Sequence, residues 1–175
     1  MTQTKPPPSL TAMPPIAAPG ATVLILGSMP GAKSLADQQY YAHPRNAFWS
    51  IMDTLGVSDR GAPYAERCQA LTAGGVALWD VIASCRREGS LDSAIRAETP
   101  NDLAGFARAQ PDLRLVVFNG RKAHDVFVRF AKRGDPRVAL PQDITLAPLP
   151  STSPANTRRD KIEPWIEILR DFVHR

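Results

Sequence analysis

Four short apolar runs, each followed by a helical pattern, constrain this chain more than any other feature. Val23-Leu24-Ile25-Leu26 stops at Gly27; GVALWDVI spans Gly75 to Ile82; RLVVF, Arg114 to Phe118, runs into Asn119-Gly120; DITLAPL, Asp143 to Leu149, runs into Pro150. Continuous rather than alternating apolar residues suit a parallel sheet buried on both faces. Parallel neighbours cannot be joined by a tight turn, so helices must cross between them with right-handed connections. The predicted fold is α/β, a three-layer α/β/α sandwich around a four-stranded parallel sheet. Helical spacing is read at Phe48, Ile51, Met52 and Leu55, from Pro63 to Ala73 with a stop at Gly74-Gly75, and from Arg121 to about Arg133 with Ala123, Val126, Phe127 and Phe130 inward. Thr99-Pro100-Asn101-Asp102 reads as a further helix start with threonine as its cap. Ile162, Trp165, Ile166, Leu169 and Phe172 form the stripe of a closing helix. Ser84 to Glu98 reads as a polar, basic loop with a helical turn.

With 175 residues, 43% hydrophobic and 22% charged, the chain suits one globular domain, expected over residues 21 to 175. Residues 1 to 20 are rich in proline and lack the apolar core of a signal peptide; they read as a flexible, extended arm on a cytoplasmic protein. No apolar run approaches the roughly 20 residues of a membrane helix. The net charge of +4 is compatible with an anionic partner without requiring one. Cys68 and Cys85 stand in no CxxC or Cys/His cluster, so neither a metal site nor a disulfide framework is expected.

The chemistry is concentrated between Leu24 and Trp49. Ser28-Met29-Pro30-Gly31 turns the chain at the carboxyl end of the first strand, where open α/β sheets bind ligands. Tyr40, Tyr41, His43, Arg45 and Asn46 follow on one loop before the Phe48 helix, with Asn46 placed to cap it. Asp80 is the one charged residue in the second strand; a carboxylate there is either a structural acid paired with Arg86 or Arg87, or a ligand-reading group. Asn119 can tie down the turn after the third strand or touch a ligand. The loop PSTSPAN, Pro150 to Asn156, suits a capped turn and suits phosphate contact equally.

The string G-S-M-P-G, then Q-Y-Y-A-H-P-R-N-A-F-W, from Gly27 to Trp49, resembles the first active-site motif of the uracil-DNA glycosylase superfamily. It looks most like the hypoxanthine-DNA glycosylase branch. Mismatch-specific uracil enzymes carry asparagine where this chain has Ser28, and Leu149 replaces the histidine or asparagine that opens the second motif. Branches holding an iron-sulfur cluster need four cysteines and are excluded.

The resemblance implies a strand order of 2-1-3-4 and a monomeric, cofactor-free enzyme of base-excision repair acting on DNA. It would flip out a deaminated base, hypoxanthine (deoxyinosine) before uracil, and hydrolyse its N-glycosidic bond. In that reading Asn46 holds the attacking water and Tyr41 stacks on the base. Gly27, Ser28, Pro30 and Gly31 contact the base edge, and Asp80 selects it. His43 orients the loop or meets a phosphate, while Ser151, Thr152, Ser153 and Arg158 grip DNA. No lysine lies in a motif suited to Schiff-base chemistry, so lyase activity is not expected. A broader or mismatch-type uracil glycosylase, and a non-catalytic α/β nucleic-acid-binding module, are the alternatives.

Overall fold

The computed structural model of the protein describes residues 7 to 173. A four-stranded parallel sheet forms its centre. The strands are β2 (Val23–Gly27), β3 (Val76–Asp80), β6 (Leu115–Asn119) and β7 (Thr145–Leu149), in the order β3-β2-β6-β7. In order of appearance this is 2-1-3-4, as the family resemblance implies. The inner strands β2 and β6 are buried at every residue, which is why their sequences carry no polar alternation.

Alternate side chains serve opposite layers. Leu24, Leu26, Val116 and Phe118 face a core with α4 (Leu103–Ala109) and α5 (Arg121–Lys132). Val23, Ile25, Leu115 and Val117 face the other core, with α2 (Phe48–Thr54) and α6 (Glu163–Leu169). The remaining helices are α1 (Ala32–Asp37) and α3 (Tyr64–Ala73). α5 buries Ala123, Val126, Phe127 and Phe130, the face its spacing predicts.

Three expectations are corrected. The segment after Asp80 is a second sheet, in which β4 (Ile82–Arg86) pairs antiparallel with β5 (Arg96–Pro100) and with β1 (Ser9–Thr11). Thr99 and Pro100 therefore end a strand, and the cap of α4 is Asp102, which accepts the Gly105 amide at 2.9 Å. Residues 7 to 20 are extended but are not a free arm. Beyond β1, Ile16 exchanges backbone hydrogen bonds with Leu78, and Met13 is buried in the core. Residues 1 to 6 lie outside the described residues.

The turn between β6 and α5 needs glycine. Gly120 has φ +95°, and a Cβ there would stand 2.9 Å from the Ser151 Cβ. Gly120→Ala should cost about 1–3 kcal/mol of stability. For a chain of this length that lowers the melting temperature by about 2–4 °C per kcal/mol, measurable by circular dichroism.

Candidate active site

Parallel register brings the strand ends together. Gly27 on β2 lies beside Asp80 on β3, and Asn119 on β6 beside Leu149 on β7. Above this row opens a cavity of about 570 Å³. Gly27, Ser28, Pro30, Gly31, Tyr41, His43, Asn46, Asp80, Ser151, Thr152 and Ser153 all line it, although they come from four separate stretches of the sequence. Arg158 does not line it. Arg158 is exposed and paired with Asp160 at 2.8 Å, because the chain has already turned away toward α6.

The floor is built by Asp80 and Gly27. A Cβ at Gly27 would lie 2.5 Å from the Asp80 Oδ1 and 3.8 Å from the Tyr41 hydroxyl, so glycine is what lets both groups close on this point. Asp80 is 4% exposed, and its Oδ2 is buried without a hydrogen-bond partner. Burial, and secondarily the Asp92 carboxylate, push its pKa from 3.8 up to about 8, against a smaller opposing effect of Arg87. Burial thus favours the neutral acid well above the ordinary carboxylate range. That acid can donate one hydrogen bond and accept another, where an ionised carboxylate could only accept.

The ion pair considered for Asp80 is absent among the described residues. Arg86 is exposed, and Arg87, 1% exposed, turns its guanidinium to the Pro30 carbonyl. That bond ties β4 to the loop after β2. The Ser28 hydroxyl donates to Asp92 Oδ1 at 2.6 Å, and Ser90 Oγ accepts the Ala32 amide at 2.8 Å, so the β4–β5 loop is pinned to the same rim.

One wall is aromatic. Tyr41 adopts φ +54°, a conformation unusual for a non-glycine residue, and its ring stacks on Phe48 with centroids 4.2 Å apart. Its hydroxyl is buried without a partner, and burial followed by the Asp80 charge raises its pKa, so it stays protonated. Tyr40 is structural: its hydroxyl donates to the Pro14 carbonyl at 2.9 Å. Asn46 Oδ1 accepts the Phe48 amide at 3.0 Å in the turn just ahead of α2, whose N-cap position is Ala47 and not Asn46, and this bond fixes the side chain at the rim. His43 Nδ1 accepts the Arg45 amide at 3.1 Å, so the imidazole shapes the same turn.

The facing wall is the Ser151 to Asn156 loop. Asn119 clasps Thr152 twice, its Nδ2 donating to the threonine hydroxyl and its Oδ1 accepting the Thr152 amide, both at 2.9 Å. Thr152 is 1% exposed, so its side chain is a fastening and not a surface for DNA. The Thr152 carbonyl accepts the Ala47 amide at 3.0 Å, joining the two walls. Ser151 and Ser153 accept amides of their own loop, and Lys161 Nζ caps the carbonyls of Ser153 and Asn156.

The sequence model described as the Uracil DNA glycosylase superfamily matches residues 14 to 173. The chain belongs to that superfamily. It is 42% identical over 102 residues to a hypoxanthine DNA glycosylase of Methanosarcina acetivorans, covering 58% of this chain and 65% of that protein. It is 38% identical over 111 residues to a hypoxanthine DNA glycosylase of Methanosarcina barkeri, covering 63% and 70%. These matches therefore span about two thirds of the relatives' length. A solution NMR structure of a candidate uracil DNA glycosylase from Methanosarcina acetivorans superposes with a TM-score of 0.78 at 32% identity, covering 94% of this chain and 98% of the other.

Sequence reasoning missed Asp92, Ser90 and the burial of Arg87, because the polar composition of Ser84 to Glu98 concealed a strand pair folded against the superfamily core. Ile82, Cys85 and Ile95 are buried, but Ile82 and Cys85 are three residues apart, a spacing that puts them on opposite faces of a regular strand; both reach the core because the β4–β5 register shifts between them. Among the described residues no helix is long and apolar enough to cross a membrane, and no group of three or more His, Cys, Asp or Glu could hold a metal ion.

The raised pKa of Asp80 fixes the sign of a stability change. Below about pH 4 both the folded and unfolded chains hold this proton, and the stability it confers is complete. Between about 4 and 8 the unfolded chain releases it while the folded chain retains it, so stability falls as pH rises through the window. Urea unfolding at pH 5 and pH 8 should show this fall in the wild type and a smaller one in Asp80→Asn.

Proposed function

We propose that the protein is a monofunctional DNA glycosylase, acting as a monomer in the cytoplasm, that extrudes a deaminated base from DNA and hydrolyses its N-glycosidic bond, with hypoxanthine as first substrate. One observation carries the reading: a buried Asp80 carboxyl, its Oδ2 without a hydrogen-bond partner, at the floor of a cavity walled by Tyr41 and rimmed by Asn46. Hypoxanthine presents a ring N–H beside a carbonyl. A protonated carboxyl answers both, accepting from the N–H and donating to the carbonyl oxygen. Family membership and the names of the Methanosarcina relatives point the same way.

Flipping is needed because a base within the stack is closed to a hydrolytic water; its cost is a few kcal/mol and is lowest for mispaired bases. The Tyr41 ring, backed by Phe48, offers the extruded base a π surface in place of its lost neighbours. Bond cleavage leaves positive charge on the sugar and negative charge on the departing base. The Asp80 proton and the backbone amides of Met29 and Gly31, which donate to no acceptor among the described residues, stabilise the base. Asn46 Oδ1 keeps a lone pair beyond its bond to Phe48 and holds the water. An amide is a weak base, which suffices when the leaving group already carries the developing charge.

A second reading is favoured by the same edge chemistry. Uracil also presents N–H beside C=O, so Asp80 alone does not separate the two bases, and a broader uracil glycosylase remains the competing assignment. An oligonucleotide containing deoxyinosine should be converted to an abasic site in the presence of chelator, with strand scission only after alkali. Excision of deoxyuridine with deoxyinosine left intact would replace the hypoxanthine assignment, and DNA binding without release of either base would support a non-catalytic module.

Asn46→Ala should lower single-turnover excision by about 10²–10⁴-fold with DNA affinity within a few-fold, since the water is held only on the path to the transition state. Loss of the hydrogen bond to the Phe48 amide adds about 1 kcal/mol of destabilisation. A lowered melting temperature with a near-normal rate would remove Asn46 from the mechanism.

A further inference from the structure

Flipping a nucleotide leaves a gap in the duplex, and proteins that distort DNA from the minor groove hold such gaps open with apolar wedges such as Phe, Leu, Ile, Met or Pro. The Ser151 to Asn156 loop is poorly equipped for that task. Thr152 is buried, the Ser151 and Ser153 hydroxyls are bonded to their own loop, and Pro154 is half-buried. Across the cavity stands a different side chain. Leu91 lines the mouth and is 62% exposed, the most exposed large hydrophobic among the described residues; the others, Leu146 and Ile162, lie away from the cavity.

We infer that Leu91, on the loop between β4 and β5, is the wedge that occupies the stack when the base enters the cavity. An isolated exposed leucine is ordinary on a protein surface. This one differs in being staked on both sides. Ser90 accepts the Ala32 amide at 2.8 Å, and Asp92 accepts the Ser28 hydroxyl at 2.6 Å, so the residues before and after Leu91 are both fixed to the loop that follows β2. The Leu91 carbonyl accepts the Ala94 amide at 3.1 Å, closing a helical turn at Asp92–Ala94. The backbone that carries this exposed, cavity-lining side chain is thereby fixed, with little ordering left to be lost on binding. Asp92 faces Ser28, which keeps one carboxylate of this loop engaged with the rim. Leu91 touches neither Asp80 nor Asn46 in this role; it acts on the duplex and positions the base.

The inference rests on the glycosylase reading, and its test separates the two. Single-turnover release of hypoxanthine is measured on deoxyinosine paired in a duplex and on deoxyinosine inside a short unpaired bubble of the same duplex. The proteins compared are the wild type, Leu91→Ala, Leu91→Met and Pro154→Ala. Leu91→Ala should slow the paired substrate by about tenfold more than the bubble, because only the paired base must be replaced in the stack. Leu91→Met should restore most of the difference. Equal effects on the two substrates, or no effect, overturn the assignment. A pairing-dependent loss in Pro154→Ala with none in Leu91→Ala moves the wedge to the facing loop and likewise overturns it. Wild-type protein that releases neither hypoxanthine nor, with deoxyuridine placed in the same paired and bubble contexts, uracil removes the glycosylase reading and the wedge with it, whereas wild-type activity with an unaffected Leu91→Ala removes only the wedge.

Discussion

The contact on which the rest of the site depends is that of the Asp80 carboxyl against the bare Cα of Gly27. Parallel pairing of β2 with β3 puts these two residues side by side at the strand ends, and nothing larger than a hydrogen at Gly27 would leave room for the carboxyl. An unpartnered buried oxygen costs about 1–3 kcal/mol, an amount the surrounding core can offset with one or two of its fully buried aliphatic side chains, each contributing about 1.5–3 kcal/mol. Burial in this corner also favours the protonated acid. The same packing that stabilises the sheet therefore sets the hydrogen-bonding character of the floor.

Thr152 plays the corresponding part for the walls. Its amide and hydroxyl are held by Asn119 from β6, and its carbonyl receives the Ala47 amide from the loop that carries Tyr41 and Asn46. Three chain segments distant in sequence meet on one residue, so the aromatic wall, the rim and the serine loop are positioned before any ligand arrives. Donors and rings fixed in advance need no reorganisation as charge develops, which is the condition for strong electrostatic assistance. Tyr41 shows the cost of such placement in its left-handed backbone, a conformation a tyrosine keeps only where neighbours such as Phe48 hold the ring.

The inner strands β2 and β6 were legible because burial on both faces leaves a period-independent signal, and the helices of α5 and α2 because their stripes are strong; β7 departs from that expectation, since as an edge strand it buries only Ala147 and Leu149. Strand order and the residues around the cavity were legible through the motif resemblance. Local signals failed where tertiary pairing prevailed. Thr99-Pro100 has the chemistry of a helix start, yet β4 draws it into a strand edge, where the Ser84 and Thr99 hydroxyls meet at 2.6 Å, and Asp102 inherits the cap. Arg87 lies in a stretch that reads as a polar, basic loop. Its burial depends on a carbonyl, that of Pro30, 57 residues earlier, and nothing near Arg87 in the chain announces it. Thr152 looked like a ligand contact for the converse reason, since a threonine in a polar loop gives no hint of an asparagine waiting at a strand end.

The opening strand β1 has a reach beyond its three residues. It supplies one edge of the small sheet whose other members bracket the loop bearing Ser90, Leu91 and Asp92, and a few residues on, the Pro14 carbonyl receives the Tyr40 hydroxyl. Proline-rich composition invites an experimenter to trim the chain at Gly20. Doing so would bare the edge of β4 and strip the aromatic loop of an anchor, so a shortened protein could keep its central sheet while losing the alignment of two cavity walls at once. The segment that reads as the most dispensable is, in the folded molecule, a brace running from the small sheet to the mouth of the site.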